Sequence, residues 1–401
     1  MIPHIPLQVQ PLDLRYNERK VLQILRRMGH ASKAEIARIA NLTNAAVGSI
    51  VSSLEEQNLI LSGKKRHEGQ RGQPATMIHL NPTGAYGLGV RLERNGFQTV
   101  LIDFDGNILS RFTNEMELPP PEQTLEIVCS DINAALATMP AESLSRLTGV
   151  GLATPYHLGS WLKELGLPEK SFKQWDSFDF AAQLEDTTKI PVHSENDGTA
   201  AAIAELFYGA GREVDDFLYL FFGPAIGGGL ALKGDIVRGS TGNAADVATM
   251  AVPPSKLPSA TRPDKKWDIL INRASLNSLR RHLLSRRPGI EVGTRLQLEL
   301  AVQTYGKESD EWADDCIDAL IPTIISAKSL LDFPTLVLEA NIGGGLVTML
   351  RDRLAKALDE NMPEAWSPPK LVTGTFGCDA SAVGAASLPI FYNFSPRKPL
   401  Q

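Results

Sequence analysis

Thiols are scarce in this chain. The three present, Cys129, Cys316 and Cys378, stand too far apart to make a disulfide or metal-ligand spacing. No apolar run approaches the length of a bilayer span, and the first residues lack the charged-then-apolar order of an export signal. Low-complexity tracts and short repeats are also missing. These absences exclude a disulfide scaffold, a cysteine metal site and a membrane span, and the expectation is a reduced, cytoplasmic protein without membrane partners. What remains is an ordinary globular composition, 43% hydrophobic and 21% charged over 401 residues, enough for two or three domains.

Charge is unevenly placed. Residues 1–80 carry 11 Lys and Arg against 6 Asp and Glu, a surplus of five positive charges; with the chain at −6, the remainder stands at −11. A basic segment ahead of an acidic one implies separate tasks, the first near polyanions, although a solvated helical face also makes basic clusters. The pattern says more than the charge. Val21, Leu22, Ile24, Leu25 and Met28 form a helical apolar stripe over 15–28, which Gly29 stops. Ser32-Lys33-Ala34-Glu35 reads as a capping box, opening a short helix with Ile36, Ile39 and Ala40 inward. After the turn Asn41-Leu42-Thr43, a third helix turns Val47, Ile50, Val51 and Leu54 inward.

Thr43, Asn44, Ala45, Gly48 and Ser49 fall on that helix's N-terminal or outer surface, where small and polar residues allow close approach to a major groove; Ser32, at the start of the preceding helix, joins them as a candidate DNA contact. Gly48 costs the helix about 1 kcal/mol relative to Ala. Either that close approach or a tight helix crossing inside the domain accounts for it. A β-hairpin wing follows, with Lys64, Lys65 and Arg66 suited to phosphates and Arg71 and Gln73, on a Gly-bracketed stretch, suited to a minor groove. The alternative is a solvated loop.

From about residue 84 the pattern is α/β. Strands are expected at 86–92, 97–104, 149–154, 191–193, 217–222, 228–232 and 336–339, with helices at 122–139 and 200–208. The hairpin start recurs at 217–232, which points to duplicated lobes with a ligand cleft between them.

Four motifs then occur in order: Glu195-Asn196-Asp197-Gly198-Thr199-Ala200-Ala201, Ile226-Gly227-Gly228-Gly229-Leu230, the 239–246 stretch and Ile342-Gly343-Gly344-Gly345. Behind a winged helix-turn-helix carrying Arg71-Gly72-Gln73-Pro74, they resemble the ROK family (repressor, open reading frame, kinase) in its transcriptional-regulator branch, over nearly the whole chain. The resemblance implies an α/β chain with a winged helix-turn-helix at 1–81 and an actin-like, sugar-kinase-like domain at 82–401. Its lobes would be about 82–195 plus the C-terminal helix, and about 196–378, with a sugar between them and a homodimer or homotetramer as the assembly. In family kinases the Asp at position 197 is the general base and the Asn at 196 binds the ring. Here Asn196 and Asp197 are expected to contact an effector, although Asp197 could equally cap the following helix.

The departures from the family matter as much. The first phosphate loop, Asp-x-Gly-Gly-Thr in family kinases, matches Val90-Arg91-Leu92-Glu93-Arg94-Asn95, so Arg91 replaces the Asp and Glu93 and Arg94 replace both glycines. Long side chains block a phosphate cradle, and Glu93 repels phosphates. The second loop reads Gly223-Pro224-Ala225, without the hydroxyl and one backbone donor. The zinc-binding His is Thr249, and no Cys or His occurs between 239 and 281, so no zinc site and no cofactor are expected. The family Glu has become Asp246, still an acceptor for a hydroxyl, and Asp268 is a candidate for a further family Glu. Tyr156, His157, Trp161 and Trp175 cluster near Gly159-Ser160; His157 is a candidate effector contact, while the tryptophans serve equally well as lobe packing. The combined reading is a non-enzymatic, sugar-responsive regulator, a repressor, bound to double-stranded operator DNA. The alternatives are an active sugar kinase with a DNA-binding head, or a ligand-blind DNA-binding protein.

Overall fold

The computed structural model describes residues 13–66, 75–168, 170–261 and 263–396. The chain forms two compact units. One comprises the residues up to Leu158, Phe172–Tyr208 and the chain from Ser381; the other comprises Gly159–Ser171 and Gly209–Ala380.

The first unit begins with the basic segment. Helix α1 (Tyr16–Met28) stops at Gly29, whose φ of +71° suits only a residue without a Cβ. A short strand β1 (Ala31–Ser32) leads into α2 (Lys33–Ala40). The Ser32 hydroxyl accepts from the Glu35 N–H while the Glu35 carboxylate accepts from the Ser32 N–H, the expected capping box. Asn41 turns the chain at φ 55°, and Thr43 caps α3 (Asn44–Glu56) by accepting from the Ala46 N–H. Strand β2 (Ile60–Arg66) and β3 (Ala75–Leu80) pair as a hairpin, and β3 also pairs with β1, so the sheet order is β1-β3-β2. Val21, Leu22, Leu25, Ile36, Val47, Val51, Leu54, Ile60 and Ile78 fill the core between helices and sheet. Three expected inward residues differ. Met28 is 39% exposed at the last position of α1, and Ile39 is 43% exposed because α2 buries the arc through Ile36, Ala37 and Ala40 instead. Ile50 is half-buried.

Behind this domain, β4 (Tyr86–Glu93), β5 (Gly96–Asp103) and β6 (Ile108–Asn114) form an antiparallel meander. Helix α4 (Pro121–Ala137) leads to β7 (Leu147–Thr154), α5 (Phe180–Thr188) to β8 (Val192–Asn196), and α6 (Asp197–Tyr208) follows directly. β7 and β8 add in parallel, giving the order β6-β5-β4-β7-β8. The C-terminal helix (Ala380–Phe394) lies on this sheet at backbone contact: a Cβ on Gly89 or Gly151 would overlap the Ala386 or Ala385 backbone, and one on Gly384 would overlap that of Ala200 in α6. That contact ties α6 to the first unit, so the units divide at 208/209 and not at the expected 195/196.

In the second unit, β9 (Phe217–Phe222), β10 (Ile226–Leu232) and β11 (Asp235–Ile236) again form a meander, and β14 (Thr335–Ala340) and β15 (Lys370–Thr373) again add in parallel on the β9 side. The order β11-β10-β9-β14-β15 repeats that of the first unit element for element, as the recurring hairpin signal implies. Gly227-Gly228-Gly229 lies inside β10, not in the turn before it. Gly228 is needed there because a Cβ would overlap the Ala245 carbonyl, whose segment crosses the strand. The remaining elements are β12 (Ala251–Val252), β13 (Asp268–Ile269), α7 (Leu276–Arg286), α8 (Arg295–Thr304), α9 (Gly306–Leu331), β14 (Thr335–Ala340), α10 (Gly344–Asn361) and β15 (Lys370–Thr373).

The stretch between β12 and β13, where family kinases bind zinc, is held by side chains. Arg273, fully buried, donates to the Pro253 carbonyl at 2.8 Å, to both carboxylate oxygens of Asp315 at 3.1 and 2.8 Å, and to Asp318 at 2.8 Å. The Ser255 hydroxyl donates to Asp315, and Ser259 pairs with His282, whose other ring nitrogen faces Glu311 at 3.3 Å. Arg273→Met would strand the Asp315 carboxylate and free the Pro253 carbonyl. The expected loss is about 3–5 kcal/mol of stability in denaturant titrations, whereas a metal chelator should leave the wild-type melting curve unmoved.

Candidate functional site

Two groups of candidate residues lie in the first unit. On the winged domain, Thr43, Asn44, Ala45 and Ser49 are exposed and Gly48 is half-buried, a small, polar surface at the N-terminal end of α3. Unpaired backbone N–H groups and the positive end of the helix dipole make such an end attractive to phosphate. A Cβ on Gly48 would meet nothing within 4 Å, so no helix crossing inside the domain requires the glycine, and its bare face points outward. Ser32 is placed differently. It is buried, and its hydroxyl serves Glu35, donating to the carboxylate at 2.7 Å; these bonds hold the Glu35 carboxyl below its ordinary range. The Lys64, Lys65 and Arg66 side chains, and Arg71 and Gln73 altogether, lie outside the described residues.

The second group surrounds the start of α6. Asn196 ends β8 and Asp197 opens the helix; their side chains both accept from the Gly198 N–H, at 3.0 and 2.8 Å. Capping and availability to a ligand therefore coexist, because each side chain keeps its other polar atoms. Facing Asp197 are residues of β4 and the turn after it. Arg91 pairs with Glu93 on β4, and Arg94 reaches across to donate to the Leu158 and His157 carbonyls, each at 2.9 Å. Burial pushes the Asp197 carboxyl up, and Arg91 and then Arg94 oppose the shift. Glu93 is pushed up by burial, with Asp197 adding to it and Arg91 opposing. Burial lowers Arg94, while Asp197 and Glu93 sustain its charge. Two carboxylates and two guanidiniums thus form one balanced cluster.

Sequence reasoning read Glu93 and Arg94 as obstacles and missed that they complete this cluster. The usable signal was the opposite charge of Arg91 and Glu93, two positions apart and so on one strand face. His157 is exposed, its ring edge-on to Tyr156 at 4.4 Å, and its carbonyl serves Arg94. Trp175 belongs to packing: it is buried 5.4 Å from the Phe180 ring and donates to the Pro119 carbonyl. Trp161 lies in the other unit.

In the second unit, Asp246 is half-buried and accepts from Asn243 at 3.1 Å, with its carboxyl raised by burial. Thr249 is exposed, and its hydroxyl donates to the Asp246 carbonyl. Asp268 is buried and bound to Asn272 and the Ile269 N–H. The Gly223 and Pro224 carbonyls accept from the first N–H groups of α7. Glu339 accepts from the Tyr219 hydroxyl and the Phe376 and Gly377 N–H groups, and the Glu299 carboxylate sits against Gly343 at the start of α10. Helix starts and turns that would suit a phosphate therefore already hold the chain's own oxygens. Among the described residues no group of His, Cys, Asp and Glu could hold a metal ion, and no helix is long and apolar enough to cross a membrane.

Comparison with known proteins extends this geometry. The model of the ROK family matches residues 87–390, and that of a winged helix-turn-helix DNA-binding domain matches residues 14–60. The xylose repressor of Bacillus subtilis (strain 168) is 23% identical over 239 residues, 59% of this chain and 61% of that protein, so the match spans about three fifths of the relative. The beta-glucoside kinase of Listeria innocua is 34% identical over 148 residues, 36% of this chain and 48% of the kinase. The crystal structure of a ROK family transcriptional regulator, a homolog of E. coli MLC protein, covers 95% of this chain and 97% of its own with a TM-score of 0.68 at 20% identity, which establishes the shared fold.

Two outcomes follow from the geometry. Gly48→Ala should stabilise the chain by about 1 kcal/mol in thermal melts yet weaken its binding to double-stranded DNA, because the added methyl fills the outward face of α3. Asp246 concerns pH. Its carboxyl is raised above the ordinary 3.8, so the neutral form favours the fold. That advantage is complete below about pH 4 and is lost as pH climbs through the raised folded value. Asp246→Asn, neutral throughout, should therefore melt above wild type at neutral pH, with the gap closing toward pH 4.

Proposed function

This chain belongs to the ROK family, and from that membership we propose that it is a sugar-responsive, DNA-binding transcriptional repressor whose kinase-like domain senses a ligand without transferring phosphate. The observation that carries the reading is the cluster at the start of α6. Asn196 and Asp197 keep the amide-plus-carboxylate pair that binds sugar hydroxyls, while Arg91, Glu93 and Arg94 occupy the stretch a phosphate loop would need. Phosphoryl transfer depends on donors that cradle the nucleotide and its metal. A cluster whose guanidiniums already face Glu93 and Asp197 is not such a cradle, and Glu93 adds the wrong sign. Similarity to a xylose repressor and the exposed α3 surface support the DNA-binding half.

The mechanism is a population shift. A sugar or sugar derivative accepts from Asn196 and donates to Asp197 in the first unit, with His157 of the same unit as a further contact. The ligand prefers one arrangement of the chain, and that arrangement presents the winged helices of a homodimer or homotetramer differently to paired half-sites of the operator. The shift is only as large as the difference in affinity for the two states.

A kinase reading draws on one observation, the retained Asp197 together with similarity to the beta-glucoside kinase. One experiment separates the readings. The full chain is bound to the DNA upstream of its own gene, titrated with salt, and challenged with a panel of sugars that includes D-xylose and D-glucose; the same panel is then incubated with ATP and Mg²⁺. The expected result is affinity falling about 10³-fold between about 50 and about 200 mM salt, release by at least one sugar, and no ADP. Turnover that vanishes in Asp197→Asn would establish the kinase instead. DNA binding indifferent to every sugar, with none raising the melting temperature, would leave a ligand-blind DNA-binding protein.

A further inference from the structure

Within the first unit a single helix runs from the Asp197 cluster to the winged domain. α6 opens at Asp197, the carboxylate that Arg91 and Arg94 face, and every residue from Gly198 to Tyr208 is buried. Its far end meets the winged domain. There Arg26, on the last turn of α1 and only 3% exposed, places its guanidinium carbon 4.2 Å from the centroid of the Phe207 ring and 5.0 Å from that of Phe104. The cage is itself fixed. Phe104 packs on Phe394 at 4.6 Å and Phe207 on Phe391 at 5.3 Å, both on the C-terminal helix, and Gly106 lets the 105–106 turn lie flat on the Tyr208 ring. Along its length α6 has little room to flex, because Ala200 meets Gly384 at backbone contact. A displacement imposed at Asp197 has therefore to appear at Phe207.

We propose that α6 is the element that carries ligand occupancy to the DNA-binding domain, and that Arg26 is the positioning residue that couples it to α1. The inference rests on reading Asn196 and Asp197 as the effector contact. An arginine suits the role better than an aliphatic residue. Its stem packs like one, but the guanidinium holds to the ring faces, so its hold depends on direction as well as distance. A shift of Phe207 then turns α1, and α1 is tied to α3, whose Ser53 hydroxyl donates to Glu18 of α1 at 2.8 Å. Coupling of this kind requires a contiguous element whose position both ends bias, and it shows as non-additivity between substitutions at the two ends.

The test needs no sugar. Amide hydrogen exchange of the full chain is followed in α1 and in α6 for the parent and for Asp197→Asn, each with Arg26, with Arg26→Met and with Arg26→Lys. The expected result is a several-fold change in α1 exchange on Asp197→Asn in the parent, lost in Arg26→Met and kept in Arg26→Lys, while the response at the start of α6 persists in all three. Phe207→Leu replaces Arg26→Met should the latter fail to fold. An α1 that ignores Asp197→Asn, or that responds equally without Arg26, overturns the proposal. The failure of the effector reading looks different: no sugar raises the melting temperature, yet α1 still responds to Asp197→Asn.

Discussion

The candidate ligand site depends on holding two carboxyl groups, Asp197 and Glu93, inside the protein. Burial raises both, and Asp197 raises Glu93 further. Arg91 and Arg94 make the arrangement tolerable by standing against them, and Arg94 is in turn oriented by two backbone carbonyls. The four groups act as a unit. Restoring glycines at 93 and 94 would do more than open space: it would leave Asp197 with one cation fewer and Arg91 without its partner. Arg91, Glu93 and Arg94 are therefore the residues that set the surroundings of Asp197.

The second unit shows the same habit with different residues. Glu339 fills the N–H groups at 376–377, Glu299 sits at the start of α10, and the Gly223 and Pro224 carbonyls serve α7. Arg273 does for the β12–β13 stretch what a metal would do elsewhere. A buried guanidinium that meets two carboxylates and a carbonyl has several directional bonds converging on one point, as a tetrahedral ion has. A duplicated scaffold is thereby stabilised by internal ion pairs and caps.

Much of this was legible beforehand. The capping box at Ser32 and Glu35, the Thr43 cap, the Gly29 stop and the meander strands each depend on residues within a few positions of one another, and each was found where the pattern placed it. The failures lie where a short helix offers too few residues to define its buried arc, as with Ile39, or where a partner comes from a distant segment. Gly48 was ambiguous in sequence because open space and a helix crossing call for the same residue; only the neighbours distinguish them. Trp175 was ambiguous for a similar reason, and the Pro119 carbonyl, 56 positions away, resolved it toward packing.

By itself the sequence determined the element order, the duplicated lobes and the winged helix-turn-helix, since periodicity, capping and motif order are local or linear properties. Tertiary structure alone decided that Arg91, Glu93 and Arg94 close on Asp197, that Arg273 gathers Pro253, Asp315 and Asp318, and that α6 runs from that carboxylate to Arg26. Charges and ring faces act through space over a few ångströms, and no spacing along the chain announces which of them folding will bring together.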